Sequence, residues 1–120
     1  MGLDMYFYLQ NKESKEIIEY SYYRKFNALQ GYFVKHFDIE NCRRVLITKG
    51  IIKNLYTLLN EVKYSPEKAD QLLSTYPGPF FGSYEYGKIY HNYVNEAARD
   101  MYHAQFIDFN KYKLYFTSNW

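Results

Sequence analysis

The chain opens on a strict alternation. In GLDMYFYLQ, Leu3, Met5, Phe7 and Leu9 fall on one side and Asp4, Tyr6, Tyr8 and Gln10 on the other. A period of two with aromatic side chains predicts a strand that buries one face. The polar NKESKE that follows reads as a loop. From 20 to about 37 the period lengthens: Tyr22, Phe26, Leu29, Phe33 and Phe37 stand three or four apart, with Arg24, Lys25, Gln30 and Lys35 off that stripe. This predicts an amphipathic helix, in which Gly31 costs about 1 kcal/mol of propensity.

RRVLI is a short strand ending at Thr48, a good N-cap for a helix over 49–63 with Ile51, Ile52, Leu55, Leu58, Leu59 and Val62 as its apolar face. Ser65 and Pro66 start a further short helix, since proline at the first helical position gives up no hydrogen bond. The stripe Ile89, Tyr90, Tyr93, Val94, Ala97, Met101, Tyr102 predicts a helix from about 84 to 106, capped by Ser83, with Glu85 where the helix dipole favours negative charge. KLYFTSNW alternates again and reads as a closing strand. Strands at both ends with helices between predict a small α+β domain over 1–120, its N- and C-terminal strands paired in a short antiparallel sheet against three or four helices.

The intervening YPGPFFGSYEYGKIY breaks both periods. Pro77 and Pro79 forbid helix, and Gly78 and Gly82 permit positive φ or close backbone approach. Phe80 and Phe81 are the expected anchors that bury this turn. Gly82, Ser83, Tyr84 and Glu85 form the alternative, a ligand- or anion-binding site at a helix start.

Composition sharpens this picture. The 120 residues include 16 Tyr and 9 Phe, and tyrosine suits both a core edge and an adhesive surface. Net charge is +2, but Arg24, Lys25, Lys35, Arg43, Arg44, Lys49 and Lys53 crowd the segment 20–60 against Asp38 and Glu40. Such a region allows an acidic-protein or nucleic-acid partner. The single cysteine, Cys42, excludes an internal disulfide and fits a reducing cytosol; next to a strand it reads as a buried thiol. Asp4 interrupts any signal-peptide pattern, and no apolar run approaches the length of a bilayer span.

Catalytic signatures are missing. His36, His91 and His103 are scattered and Cys42 is alone, so no metal-ligand spacing exists. There is no nucleophile elbow, P-loop or dinucleotide fingerprint. A non-enzymatic protein without cofactor or metal is therefore expected. Tyr22, Tyr23, Arg24, Lys25, Tyr32, Arg43 and Arg44 are the candidate contacts to protein or RNA, because Tyr and Arg dominate interface hot spots and also stack on unpaired bases.

MGLDMY at the start, YYRKFNALQGYFV at 22–34, FFGSYEY at 80–86 and the terminal YFTSNW together resemble a family of small phage and prophage proteins that carry these segments in this order. Tyr23 stands where that family usually has Trp, and Gly87 where an acid is common. No activity is established for the family, so no catalytic residue carries over. The resemblance implies a phage accessory protein in the host bacterial cytoplasm. The leading expectation is an inhibitor of anti-CRISPR type that binds a host defence effector such as an RNA-guided nuclease, a ribonucleoprotein. The alternatives are a small-ligand or nucleotide sponge and a small RNA- or DNA-binding regulator.

Overall fold

The computed structural model describes residues 2–120. Four antiparallel strands form one sheet in the order β2-β1-β4-β3, with β1 at Asp4–Asn11, β2 at Ile17–Arg24, β3 at Arg44–Ile47 and β4 at Tyr112–Asn119. Four helices complete the α+β domain: α1 (Asn27–Phe37), α2 (Lys49–Tyr64), the one-turn α3 (Ala69–Leu72) after a 3-10 turn at Pro66–Lys68, and α4 (Lys88–Ala104). The terminal strands are paired as expected, from Asp4 opposite Asn119 to Asn11 opposite Tyr112. No helix among the described residues is long and apolar enough to cross a membrane.

The helices lie on one face of the sheet. Met5 and Phe7 of β1, Tyr23 of β2, Ile47 of β3 and Leu114 and Phe116 of β4 are buried there. The Phe33 ring of α1 stacks on Phe116 with centroids 3.8 Å apart. Ile52, Leu55, Leu59 and Val62 of α2 and Val94, Ala97 and Met101 of α4 complete the core. Thr48 caps α2 as expected, its hydroxyl accepting from the Ile51 amide.

One predicted element divides differently. Residues 20–24, expected in a helix, belong to β2, and the helix starts only at Asn27. The spacing of Tyr22 to Phe37 is helical, but IIEYSYYR is also rich in strand-forming Ile and Tyr. Pairing decides between them. The Asn11 side chain accepts from the Glu13 and Ser14 amides to turn the chain, and β2 then pairs along β1. Lys25, at φ 59, makes the break between strand and helix.

Tyr20 is the extra residue of a bulge opposite Phe7/Tyr8. Its hydroxyl donates to the Asp100 carbonyl of α4 at 2.5 Å, and that of Tyr23 donates to the Asp100 carboxylate. Burial and the Asp100 charge push the Tyr20 phenol up to about 12. Burial, then the Asp100 hydrogen bond, pushes Tyr23 higher still.

Candidate binding face and adjoining cavity

The alternation that buries one face of the sheet exposes the other. Tyr22 and Arg24 of β2, Asp4, Tyr6 and Tyr8 of β1, Tyr115 and Thr117 of β4, and Arg44 and Leu46 of β3 share this second face by register. Aromatic pairs cross it: Tyr6 and Tyr22 have ring centroids 4.9 Å apart, and Tyr8 stacks with Tyr115 at 5.5 Å. The Arg44 guanidinium lies 4.4 Å over the Tyr115 ring and donates to Gln10 Oε1 at 3.2 Å. Tyr115 is thereby buried without any helix above it. At one end, Tyr22 donates to Asp4 Oδ1 at 2.5 Å, and that bond raises the phenol pKa. Ile17, Leu46, Phe80 and Trp120 are exposed apolar side chains on or around the face.

The proline-glycine segment becomes a strap clamped to α1 by Asn27. This buried side chain donates to the carbonyls of Phe81 and Ser83 and accepts from the Tyr76 amide at 3.0 Å. Gly31 is where the strap crosses the helix: a Cβ there would stand 2.9 Å from Cβ of Tyr76. Only Phe81 is an anchor. Phe80 is 63% exposed and held at φ 59, unusual for a bulky side chain.

The start of α4 also shifts. Residues 84–87, expected in the helix, stay in the strap because the Tyr84 hydroxyl bonds to the Gly78 backbone and that of Tyr86 accepts from the Thr75 amide. Ser83 therefore caps no helix; its Oγ accepts from the Glu85 amide, and Gly87 is the N-cap.

Between strap, α1 and α4 lies a cavity of about 540 Å³. Arg24, Lys25, Lys88 and Glu85 line it with Phe26, Tyr90 and Tyr93, but the Arg24 guanidinium turns out to Asp4 of the open face, at 3.9 Å. Gly82 permits the strap to close against the turn between β2 and α1: at φ +88, a Cβ there would meet Lys25 Cβ at 2.9 Å. Tyr93 donates to the Arg24 carbonyl at 2.6 Å, and Tyr90 to that of Leu73 at 2.7 Å. Burial raises the Tyr90 phenol.

The candidate residues from the sequence do not form one site. Tyr22, Arg24 and Arg44 reach the open face, but β2 and β3 are its opposite edges. Tyr23 is fully buried and offers no contact surface, and Arg43 is paired with Glu40 at 2.9 Å. Tyr32 lies partly buried on α1, edge-on to Phe33. Gly82, Ser83 and Glu85 do line the cavity, while Tyr84 is taken up by the strap.

Cys42 is exposed rather than buried, because the turn before β3 holds it at φ 63. Among the described residues no three His, Cys, Asp or Glu side chains are grouped to hold a metal ion. Sequence reasoning missed Tyr6, Tyr8, Tyr115 and Leu46 as surface candidates. The alternation in β1 and β4 was the signal that separates the tyrosines from the core. No family model, curated protein or solved structure matches this chain.

Proposed function

We propose that this is a phage-encoded binding protein that disables a host defence effector in the bacterial cytoplasm by covering one of its surfaces, without chemistry of its own. The observation that carries the reading is the open face of the sheet, where paired tyrosines and a stacked arginine stand free of any helix. Tyrosine and arginine supply most binding energy at protein interfaces, and rings already packed on one another lose little entropy on docking. The phage setting rests on the resemblance of four ordered segments.

The charge pattern favours a protein surface over a bare nucleic-acid strand. Arg24, Arg44 and Lys113 on this face attract carboxylates, while Asp4 and Glu19 on the same face would repel a phosphate backbone, a mixed pattern suited to a protein surface. The effector's protein portion is the expected contact.

Co-expression with a panel of bacterial defence systems tests this reading. One system should lose activity at near-stoichiometric ratio, and Tyr22→Ala or Arg44→Ala should weaken capture of its effector by roughly thirtyfold, the size of a hot-spot residue. Every system remaining active overturns the proposal, as does a salt-sensitive shift of bare RNA lost with the same variants.

A further inference from the structure

Lysines from three separate segments meet at one end of the sheet. A groove of about 310 Å³ opens there, between the end of β3, the start of β4 and the loop before it, and Lys12, Lys49 and Lys113 line it with Leu46, Phe109 and Tyr112. Two of these lysines have their heads at one residue: Lys12 Nζ donates to the Phe109 carbonyl, and Lys49 Nζ lies 5.6 Å from the centre of the Phe109 ring. Lys113 stands beside Leu46 on the tyrosine face by register, since Leu46 is opposite Tyr115, two residues further along β4. Lys49 also lines a second hollow, along α2, together with Lys53 and Tyr56. No Asp or Glu lines either hollow, and none of the four lysines has an ion-pair partner among the described residues; Glu13 and Asp108, close by in the chain, pair with none of them.

Leu46 is 48% exposed, so the groove offers apolar surface among unmatched positive charges. Cations beside rings suit either an acidic protein segment or a nucleic-acid strand, and the ring faces separate the two. Lys49 Nζ covers the Phe109 ring, and Lys111 Nζ lies 5.4 Å over that of Tyr112. Both rings therefore already have an ammonium partner where a base would have to stack. We propose that this groove docks an acidic, apolar segment of a partner protein, with a Leu or Phe side chain of that segment against Leu46 and its carboxylates at Lys49, Lys53 and Lys113. Cations gathered in a concavity concentrate anionic groups. An apolar contact ringed by charge gives an interface its energy at the centre and its register at the rim. Leu46 and Lys113 belong also to the tyrosine face, so the groove extends the binding surface proposed above and rests on the same reading of a protein partner.

Selection of displayed random dodecapeptides on the full chain tests the docking. Enriched peptides should combine Asp or Glu with Leu or Phe, and the most enriched one is then synthesised and its binding measured by fluorescence anisotropy. Lys49→Gln/Lys53→Gln/Lys113→Gln should weaken that binding by about tenfold; all three positions are exposed, and Lys12 keeps its bond to the Phe109 carbonyl. Leu46→Thr should weaken it about fivefold, through the lost apolar contact. Tyr22→Ala, on β2 at the opposite edge of the sheet, should leave it unchanged, so this docking and the role of the tyrosine face fail separately. Selection that enriches no acidic, apolar peptide overturns the proposal. So does a folded triple-lysine variant that binds the peptide like the parent chain, or a single-stranded RNA dodecamer that binds more tightly than the peptide and is lost with the same variant.

Discussion

The two faces of the sheet use aromatic residues to opposite ends. Toward the helices stand Phe7 and Phe116, in contact with Phe33 and fully buried. Away from them stand Tyr6, Tyr8, Tyr22 and Tyr115, in strand positions one step out of phase. The difference is a hydroxyl. A phenylalanine ring gains from complete removal from water, whereas a tyrosine on an open face keeps its polar tip solvated or bonded and offers its ring to a neighbour. Tyr23 marks the boundary, since it is buried among the phenylalanines and its hydroxyl needs the Asp100 carboxylate.

If this contrast is right, substitutions on the two faces should separate stability from binding. Phe116→Ala strikes the stacked pair with Phe33 and should cost about 3–5 kcal/mol, measured by denaturant unfolding. Asn27→Ala should come next, at about 2–3 kcal/mol, because it leaves a part-buried amide and two carbonyls of the strap without partners. Proteolysis within 76–87 should accelerate in that variant. A cost near zero for either would show that the helix-side packing is not what holds the domain.

Tyr23→Phe should cost about 1 kcal/mol near neutral pH. The alkaline limb tests the same knot in another way. Tyr20 has its pKa raised from 10.0 to about 12 in the fold, so the folded state holds that proton more tightly than the unfolded chain. The resulting stabilisation is complete below pH 10.0 and disappears as pH rises through about 12. A Tyr20→Phe/Tyr23→Phe variant should therefore lose stability less steeply in that window than the parent chain. An unchanged slope would remove these phenols from the account.

The smallest effect is expected on the open face. Leu46→Thr keeps a strand former at an exposed edge position and should alter stability by no more than about 0.5 kcal/mol. A loss above about 2 kcal/mol would mean that the tyrosine face belongs to the core, and the contrast would collapse.

The parts of the fold legible in the chain were those with one unambiguous period. The alternation of Leu3 to Leu9 matches β1, the Ile52 to Val62 stripe matches α2, and Tyr90 to Met101 matches the body of α4. Residues 20–24 were not legible because Tyr22 fits a helical stripe and a strand alternation equally well. The strap was legible as non-helical from its prolines, but Tyr84 and Tyr86 gave no local sign that their hydroxyls would bind the backbone at 75–78. Of the candidate site, Arg24 and Lys25 could be named from charge alone. Lys88 could not, since its place at the cavity depends on where the strap delivers α4.

The sequence alone determined the element types with a single period, the partition of β1 and β4 into an apolar and a tyrosine side, and the α+β class. These follow from side-chain direction along a helix or strand, which is a local property. Only the tertiary structure decided that β2 and β3 are opposite edges, that Tyr23 is buried beside Asp100, and that Arg24, Lys25 and Lys88 share a cavity. Those outcomes depend on contacts between residues far apart in the chain, and strand order and the seating of a strap are not encoded in any local period.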